Sequence, residues 1–177
     1  MNLLPLHRLD AAVCTAFNRI NHRNGWSALF GWVSRAGDGV VWYATLATLP
    51  LLYGARELPL VACLAGAADL HRPLQVAQGL DPAPASLRGP PPPATTVAPL
   101  DRFSFPSGHT LHAVAFTVLI GAVHPSWCWW MVPFTTLVAL SRLVLGLHYP
   151  SDVLAGAAIG AGASAATYLL GSSCGWF

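Results

Sequence analysis

The sequence predicts an all-α protein: an integral membrane bundle of about five membrane helices, preceded by an N-terminal amphipathic helix. Three observations support this fold class. Of the 177 residues, 54% are hydrophobic and 9% are charged, whereas ordinary soluble domains carry about 25% charged residues. Several segments approach the roughly 20 apolar residues that a helix needs to cross a bilayer. The last of these segments is rich in Gly, Ala and Ser, which let helix backbones approach closely inside lipid.

The candidate spans, in chain order, are Gly39 to Ala55, Leu58 to Leu70, His109 to Val123, Trp127 to Leu147 and Asp152 to Gly171. The first is apolar but short, and Pro50 predicts a kink near its end. The second is shorter still and weak on its own. The third and fourth are convincing, and the tryptophan cluster that opens the fourth suits a membrane-water boundary.

The segment ahead of the spans, residues 11 to 34, mixes basic side chains such as Arg19 with apolar ones such as Trp32. This mixture favours an amphipathic helix that lies in the membrane interface. The first residues contain Asp10 and no small-residue cleavage site, so a removable signal peptide is not indicated. We expect residues 1 to 177 to form a single domain.

Residues 54 to 102 differ in composition from the rest of the chain, because these 49 residues contain none of its 18 aromatic residues. Within them, residues 79 to 101 should form an irregular loop, since the run Pro90 to Pro93 cannot continue a helix and favours polyproline II. A loop this long is uncommon in a compact bundle. Two interpretations stay open: a surface insertion, or a stretch translated from a locally shifted reading frame, which the nucleotide sequence would reveal.

Charge and cysteine content argue against two classes of function. The net charge is +2 and the nine basic residues, all arginine, are scattered singly, so no nucleic-acid partner is predicted. The four cysteines lie in different segments without C-x-x-C spacing or a histidine at a zinc-type interval, so no zinc site is predicted either.

Two polar clusters interrupt the apolar sequence. The first is Pro106-Ser107-Gly108-His109, and the second, between Ser141 and Gly156, contains Arg142, His148 and Asp152. Ionisable groups in membrane-helix sequence are costly and usually face a cavity or a partner. Because a helical hairpin returns the chain to the side on which it began, both clusters should meet at one membrane face. Arg72, after the second span, should fall on that face too.

The residue types in these clusters suit a bound oxyanion. A tight turn at Ser107-Gly108, directly before a helix, presents backbone N-H groups and the positive end of the helix dipole. Arg142 adds a planar fork of donors that matches phosphate oxygens. Two histidines beside a phosphate suggest that one attacks phosphorus and the other protonates the leaving alkoxide. Asp152 would hold the attacking imidazole in the required tautomer.

Each residue also has a plainer interpretation. These are a helix cap for Ser107, interfacial histidines for His109 and His148, a side chain that extends towards lipid headgroups for Arg142, and a helix-dipole partner for Asp152. We keep the plainer interpretation for His112 and His124. For the clusters themselves, phosphate chemistry explains all the polar groups together, whereas the plainer account needs a separate reason for each.

At these residues the sequence resembles the type 2 phosphatidic acid phosphatase superfamily of membrane lipid phosphatases, whose site is related to that of vanadium-dependent haloperoxidases. The family carries three signatures, K-x6-R-P, P-S-G-H and S-R-x5-H-x3-D. The second is complete at residues 106 to 109, and the third is complete as Ser141-Arg142, His148 and Asp152. Two complete signatures in the family's order, within roughly residues 101 to 160, make a specific match.

The resemblance implies a role for each matched residue. His148 would be the nucleophile that forms a phosphohistidine, Asp152 would orient it, and His109 would be the general acid. Phosphate binding is implied for Ser107, Gly108, Arg142 and Arg72. No metal and no other cofactor is implied, because arginines and backbone amides replace the cation that many phosphoryl-transfer enzymes use.

The first signature is incomplete in this chain. Arg72-Pro73 matches its end, but Ala65 stands where the family has Lys, and the chain contains no lysine. Losing a positive contact that acts in the transition state costs about 10²-fold or more in rate. An alternative is therefore a catalytically impaired relative that binds lipid phosphate without turning it over. A haloperoxidase is a further alternative, disfavoured because those enzymes are typically soluble.

The resemblance implies a substrate whose tail stays in the bilayer and whose headgroup carries a phosphate monoester or pyrophosphate, such as phosphatidic acid, phosphatidylglycerophosphate or undecaprenyl diphosphate. The predicted partners are this lipid phosphate and membrane lipids, in a multi-pass protein of the cell membrane. The resemblance favours a site that faces the periplasm or exterior. The arginines near the N-terminus and the site would instead favour the cytoplasm by the positive-inside rule.

Overall fold

A computed structural model of the chain describes residues 4–21, 26–69 and 105–177. Within these ranges the fold is helical and contains no strand. The helices are α1 (Leu4–Asn21), α2 (Trp26–Arg35), α3 (Val41–Tyr53), α4 (Leu58–Asp69), α5 (Gly108–Val123), α6 (Cys128–Val144) and α7 (Pro150–Ser173). The predicted irregular loop at 79–101 and the predicted phosphate ligand Arg72 lie outside the described residues.

Two helical segments in the described part of the chain are long and apolar enough to cross a bilayer. They are Pro125–Val144, with a mean hydropathy of 1.2, and Pro150–Ser173, with 1.6. Gly108–Val123 is apolar but shorter. Helices α3 and α4 have 13 and 12 residues, or about 20 Å at 1.5 Å per residue, less than the roughly 30 Å of a bilayer core. The count of about five membrane helices therefore stays a prediction.

The N-terminal segment differs from the single amphipathic helix expected over residues 11 to 34. Helix α1 starts earlier, at Leu4, and ends at Asn21, and a separate helix α2 begins at Trp26. The sequence between them contains Asn24-Gly25, a dipeptide that favours turns. The two helices pack their buried side chains, among them Cys14 and Phe30, against the bundle.

Helices α5 and α7 pack closely because small residues of α7 face α5. A Cβ atom at Gly156 would lie 2.5 Å from the carbonyl oxygen of Ser107, and one at Gly160 would collide with the carbonyl of Leu111. One turn further along, the Ser164 hydroxyl donates to the carbonyl of Ala115 at 2.8 Å. The predicted use of small residues for close backbone approach is realised in this pair, which brings the N-termini of both helices together.

The chain breaks its helical path between α2 and α3. Asp38 and Gly39 leave helical dihedral angles, and the φ of Gly39 is +135°, a conformation that glycine adopts far more readily than other residues. The Trp42 indole donates to the carbonyl of Gly37 at 2.7 Å and so satisfies a group freed by the break. The residues of the break contact α5 through Asp38 and α6 through Gly37.

The opposite end of α5 carries a separate polar group. His124 Nε2 lies 3.0 Å from a carboxylate oxygen of the buried Glu57, and its ring stacks on Tyr53 at 4.2 Å. The Trp127 indole donates to the Tyr53 hydroxyl at 2.9 Å. These contacts tie the α3–α4 turn to the α5–α6 turn, so they account for His124 structurally, as the sequence suggested.

Candidate active site

The second polar cluster forms where α6 ends and the chain turns into α7. The N-H groups of Leu147 and His148 donate to the carbonyl of Arg142 at 3.0 and 3.2 Å, and Gly146 makes the turn possible with a φ of +69°. This turn folds His148 back over the end of α6. As a result, Arg142 Nη2 lies 3.1 Å from His148 Nε2, and both side chains are almost completely buried.

The guanidinium of Arg142 fixes the tautomer of His148. Arginine offers only hydrogen-bond donors, so a neutral imidazole must present its Nε2 lone pair to Nη2. The proton of the ring is then on Nδ1, which lies 3.7 Å from Asp152 Oδ2. The lone pair of His148 is thus directed at the group best suited to hold a phosphate oxygen, on the side of the ring away from the carboxylate.

Asp152 makes two contacts in this geometry. Its Oδ2 accepts the N-H of Tyr149 at 2.9 Å, which is the reach-back half of a capping box at the start of α7, and Pro150 occupies the first helical position. The same oxygen faces His148. The plainer interpretation of Asp152 and the phosphate interpretation are therefore both compatible with its position.

The first polar cluster lies against the second. The N-H of Ser107 donates to the carbonyl of Asp152 at 3.0 Å, which joins the start of α5 to the start of α7. Ser107 occupies the N-cap position of α5, yet its side chain makes no capping bond and instead accepts from the Thr110 hydroxyl at 3.1 Å. The first backbone hydrogen bond of α5 runs from the N-H of Leu111 to the carbonyl of Ser107. The backbone N-H groups that precede Leu111 lie in the first turn and have no partner within the helix.

Two residues that the sequence analysis did not single out complete the surroundings of this site. The hydroxyl of Ser34, buried at the end of α2, accepts from Arg142 Nη1 at 2.8 Å. Asp38, in the break after α2, places Oδ1 3.2 Å from His109 Nε2. The sequence did contain a signal for Asp38, because it is an acidic residue at the edge of an apolar span and is flanked by two glycines.

Helix α1 holds the turn that carries His148. Asp10, Cys14 and Asn18 lie one helical turn apart on one face of α1. Asp10 accepts hydrogen bonds from the N-H of Ser151, at 3.0 Å, and from its hydroxyl. The Cys14 thiol lies 3.9 Å from the carbonyl oxygen of His148. The Asn18 amide donates to the carbonyl oxygen of Val144 at 3.4 Å. Burial, followed by the charges of Asp10 and Asp152, raises the pKa of the Cys14 thiol, so the thiol stays protonated and can donate.

The structure therefore brings five predicted residues, together with Gly108, to one end of the bundle; the five are Ser107, His109, Arg142, His148 and Asp152. All are buried. Two helix N-termini and a guanidinium meet there, so the site can stabilise negative charge. Ala65, by contrast, is exposed on α4. Among the described residues, no cluster of three or more His, Cys, Asp or Glu side chains is arranged to hold a metal ion.

Comparison with known families and proteins gives a consistent picture. The model of the PAP2 superfamily matches residues 56–176. A lipid A 1-phosphatase of Rhizobium johnstonii is 36% identical over 72 residues, which are 41% of this chain and 30% of that protein. An undecaprenyl-diphosphatase of Sulfolobus acidocaldarius is 37% identical over 59 residues, 33% of this chain and 29% of that protein. The match thus spans less than a third of the length of either relative.

Two solved structures share the fold. The crystal structure of Aquifex aeolicus LpxE aligns with a TM-score of 0.60 at 21% identity, covering 86% of this chain and 92% of that one. The first transmembrane PAP2 type phosphatidylglycerolphosphate phosphatase from Bacillus subtilis aligns with a TM-score of 0.67 at 18% identity, covering 98% and 88%. At these identities the likeness establishes the helical architecture.

Proposed function

Because the chain belongs to the PAP2 superfamily, we propose that it is a membrane-embedded phosphatase that hydrolyses a phosphate monoester or pyrophosphate on a lipid. The observation that carries the proposal is the buried chain of contacts from Arg142 through His148 to Asp152, at 3.1 and 3.7 Å. It supplies a nucleophile of defined tautomer, a phosphate ligand beside it and a carboxylate behind it. If Asp152 were only a helix cap, and Arg142 and His148 only interfacial side chains, the three would have no reason to contact one another in this series.

In the proposed reaction, His148 Nε2 attacks phosphorus and forms an N-P bond, while the bond from phosphorus to the lipid oxygen breaks. The electron pair of that bond goes to the lipid oxygen, which takes a proton from His109. In the second step His109 removes a proton from water, and the resulting hydroxide attacks phosphorus. The N-P bond then breaks, its electron pair returns to His148 Nε2, and phosphate is released. Asp152 stabilises the positive charge that His148 acquires on Nδ1-H.

Phosphate binding is assigned to Ser107, Gly108 and Arg142, with Arg72 as a further ligand. The guanidinium of Arg142 is held by Ser34 on one side, so its remaining donors are oriented before the substrate arrives. Preorganised donors of this kind stabilise the charge that develops in the transition state without reorganisation during the reaction. No metal or cofactor takes part in this proposal.

The lipid nature of the substrate is inferred from the relatives and from the apolar surface of the helices. The relatives named above act, by their names, on lipid A and undecaprenyl diphosphate. Large apolar side chains such as Trp129 (87% exposed) and Leu51 (83%) cover the outside of the bundle, an arrangement suited to acyl chains rather than water. We propose a multi-pass protein of the cell membrane with about five membrane helices and a site that faces the periplasm or exterior.

A panel of purified lipid phosphates tests this function. We expect phosphate release from at least one of phosphatidic acid, phosphatidylglycerophosphate, undecaprenyl diphosphate or a lipid A 1-phosphate when the full-length chain is assayed in detergent micelles. The measurement is the initial rate of inorganic phosphate formation. Vanadate resembles the phosphoryl group in the transition state of its transfer, so an active chain should also bind vanadate. Vanadate binding without phosphate release from any of the four lipids would favour the alternative, a relative that binds but does not hydrolyse.

The replacement Ala65→Lys tests whether the incomplete first signature limits the rate. Ala65 lies on the exposed side of α4, next to Leu64, which is fully buried. A lysine there would point away from the packed side of the helix, so we expect kcat/KM for phosphate release to change less than about threefold. A gain of about 10²-fold, the size expected for a restored transition-state contact, would contradict this and show that residue 65 reaches the phosphate.

A further inference from the structure

His109 has a carboxylate partner that the family signatures do not contain. Its Nε2 lies 3.2 Å from Asp38 Oδ1, and the two side chains differ in exposure, 3% for His109 against 50% for Asp38. The buried imidazole therefore meets the carboxylate on the side that leads to the surface. The contact joins residues 71 positions apart in the sequence, and it exists because the chain breaks between α2 and α3.

The break is built so that Asp38 reaches α5. Gly39 takes a positive φ, and Gly37 packs so closely on α6 that an added Cβ would lie 2.7 Å from a methyl group of Val138. Glycine on both sides of Asp38 thus allows the backbone to turn and to lie against the bundle. One turn earlier, Ser34 holds Arg142, so the same short segment contacts both the phosphate ligand and the general acid.

We propose that Asp38 is a positioning residue for His109, an inference that rests on the proposed function. A general acid must present a protonated ring in one orientation, and the carboxylate 3.2 Å from Nε2 attracts the charged imidazolium and determines which edge of the ring faces it. The role is the one that a carboxylate has behind a catalytic histidine in other enzymes. The other ring nitrogen then exchanges a proton with the substrate, giving it to the leaving oxygen and later taking one from water.

A purely structural ion pair predicts a different outcome from a positioning residue. Ion pairs with an exposed partner contribute little to stability. If Asp38 served only to attach α2 to α5, its loss would affect all substrates alike. If it positions the general acid, its loss matters only when the leaving group needs a proton.

The test therefore compares two phosphate esters of similar size, benzyl phosphate and 4-nitrophenyl phosphate, with the full-length protein in detergent. Benzyl alkoxide requires protonation as it leaves, whereas 4-nitrophenolate leaves as a stable anion. General acid catalysis contributes typically 10²–10⁴-fold, and Asp38→Asn, which keeps the shape but removes the charge, should lose part of it. We expect kcat/KM to fall about tenfold or more on benzyl phosphate and less than about threefold on 4-nitrophenyl phosphate. Because kcat/KM reports the steps up to phosphorylation of His148, slow hydrolysis of the intermediate does not obscure the comparison.

Glu57→Gln is the matched control. It removes a carboxylate that faces a histidine at 3.0 Å, but at the other end of α5, about 20 Å away at 1.5 Å per residue. Any loss in this variant should be equal on the two esters. His109→Ala sets the upper limit for the difference between them.

Each outcome has one meaning. A larger loss on benzyl phosphate in both Asp38→Asn and Asp38→Ala supports the inference. Equal losses on the two esters, or no loss, overturn it while leaving the proposed function in place. A wild-type chain that is inactive on both esters and on the lipid panel would overturn the proposed function, and the role of Asp38 with it.

Discussion

Replacing His148, the proposed nucleophile, with alanine is expected to lower kcat/KM for phosphate release by about 10⁴-fold or more, since loss of a nucleophile leaves only binding and electrostatic stabilisation to accelerate the reaction. The geometry gives the physical reason. Nε2 of His148 is the atom that faces Arg142 at 3.1 Å, and alanine offers no lone pair there. In the variant, water would have to attack phosphorus directly, because no imidazole oriented by a carboxylate is present to do so.

The measurement has two parts. Initial rates of phosphate formation are compared for wild type and His148→Ala, and radiolabelled substrate is used to trap the acid-labile phosphoenzyme after a rapid quench. Wild type should incorporate label into the protein, and the variant should not. Activity within tenfold of wild type would contradict the nucleophile assignment, and label retained by the variant would point to a different attacking residue.

His112→Ala serves as the control for this replacement. His112 lies on α5 three residues after His109, and its ring makes an edge contact with Phe116 at 6.1 Å. The replacement also removes a histidine from the same end of the bundle, but one that is not part of the series of contacts Arg142-His148-Asp152. We expect its kcat/KM to stay within about threefold of wild type, so that the loss in His148→Ala is assigned to the nucleophile rather than to a disturbed helix.

The sequence predicted the parts of the site that depend on local spacing. Arg142 lies at the end of α6, His148 in the turn that follows and Asp152 at the start of α7, so their separation in the chain determines which side chains meet. The close approach of α5 and α7 was also predictable, because a segment with Gly156, Gly160 and Ser164 on one face has little other use inside lipid. A hairpin between the two polar clusters then brings them to one end of the bundle.

The parts that escaped prediction depend on long-range packing. Ser34 and Arg142 are 108 residues apart, and nothing in either segment specifies that α2 packs on α6. The contact between α1 and the turn that carries His148 could not be predicted for a similar reason, since Asp10 contacts a residue 141 positions away. The sequence predicts one interfacial amphipathic helix over residues 11 to 34, because basic and apolar residues are mixed along it and the face that packs inward does not stand out.

The replacement of Gly156 with alanine is expected to disturb both stability and catalysis. The added Cβ would lie 2.5 Å from the carbonyl oxygen of Ser107 and 3.3 Å from the amide of Leu111. Both neighbours are backbone atoms at the start of α5, so no side chain can rotate out of the way and the helices must separate. Overpacking of this kind costs typically 1–3 kcal/mol, and we expect the upper part of that range.

The catalytic loss should exceed what the lost stability explains. Separation of α5 from α7 lengthens the 3.0 Å bond between the Ser107 N-H and the Asp152 carbonyl, which joins the turn proposed to bind phosphate to the start of α7. A displacement of about 1 Å between reacting groups can cost about 10²-fold. We therefore expect kcat/KM of Gly156→Ala to fall by about that factor at a temperature where the protein remains folded, as judged by thermal unfolding in detergent.

Gly162→Ala is the control that isolates the effect of the helix contact. It makes the same chemical change in the same helix, but a Cβ at Gly162 would meet no atom within 4 Å. Alanine also favours helix over glycine by about 1 kcal/mol, so Gly162→Ala should be as stable as wild type or more so, with unchanged kcat/KM. If the two variants behave alike, the α5–α7 contact does not hold the site together, and the two polar clusters must be positioned by α1 and α2 instead.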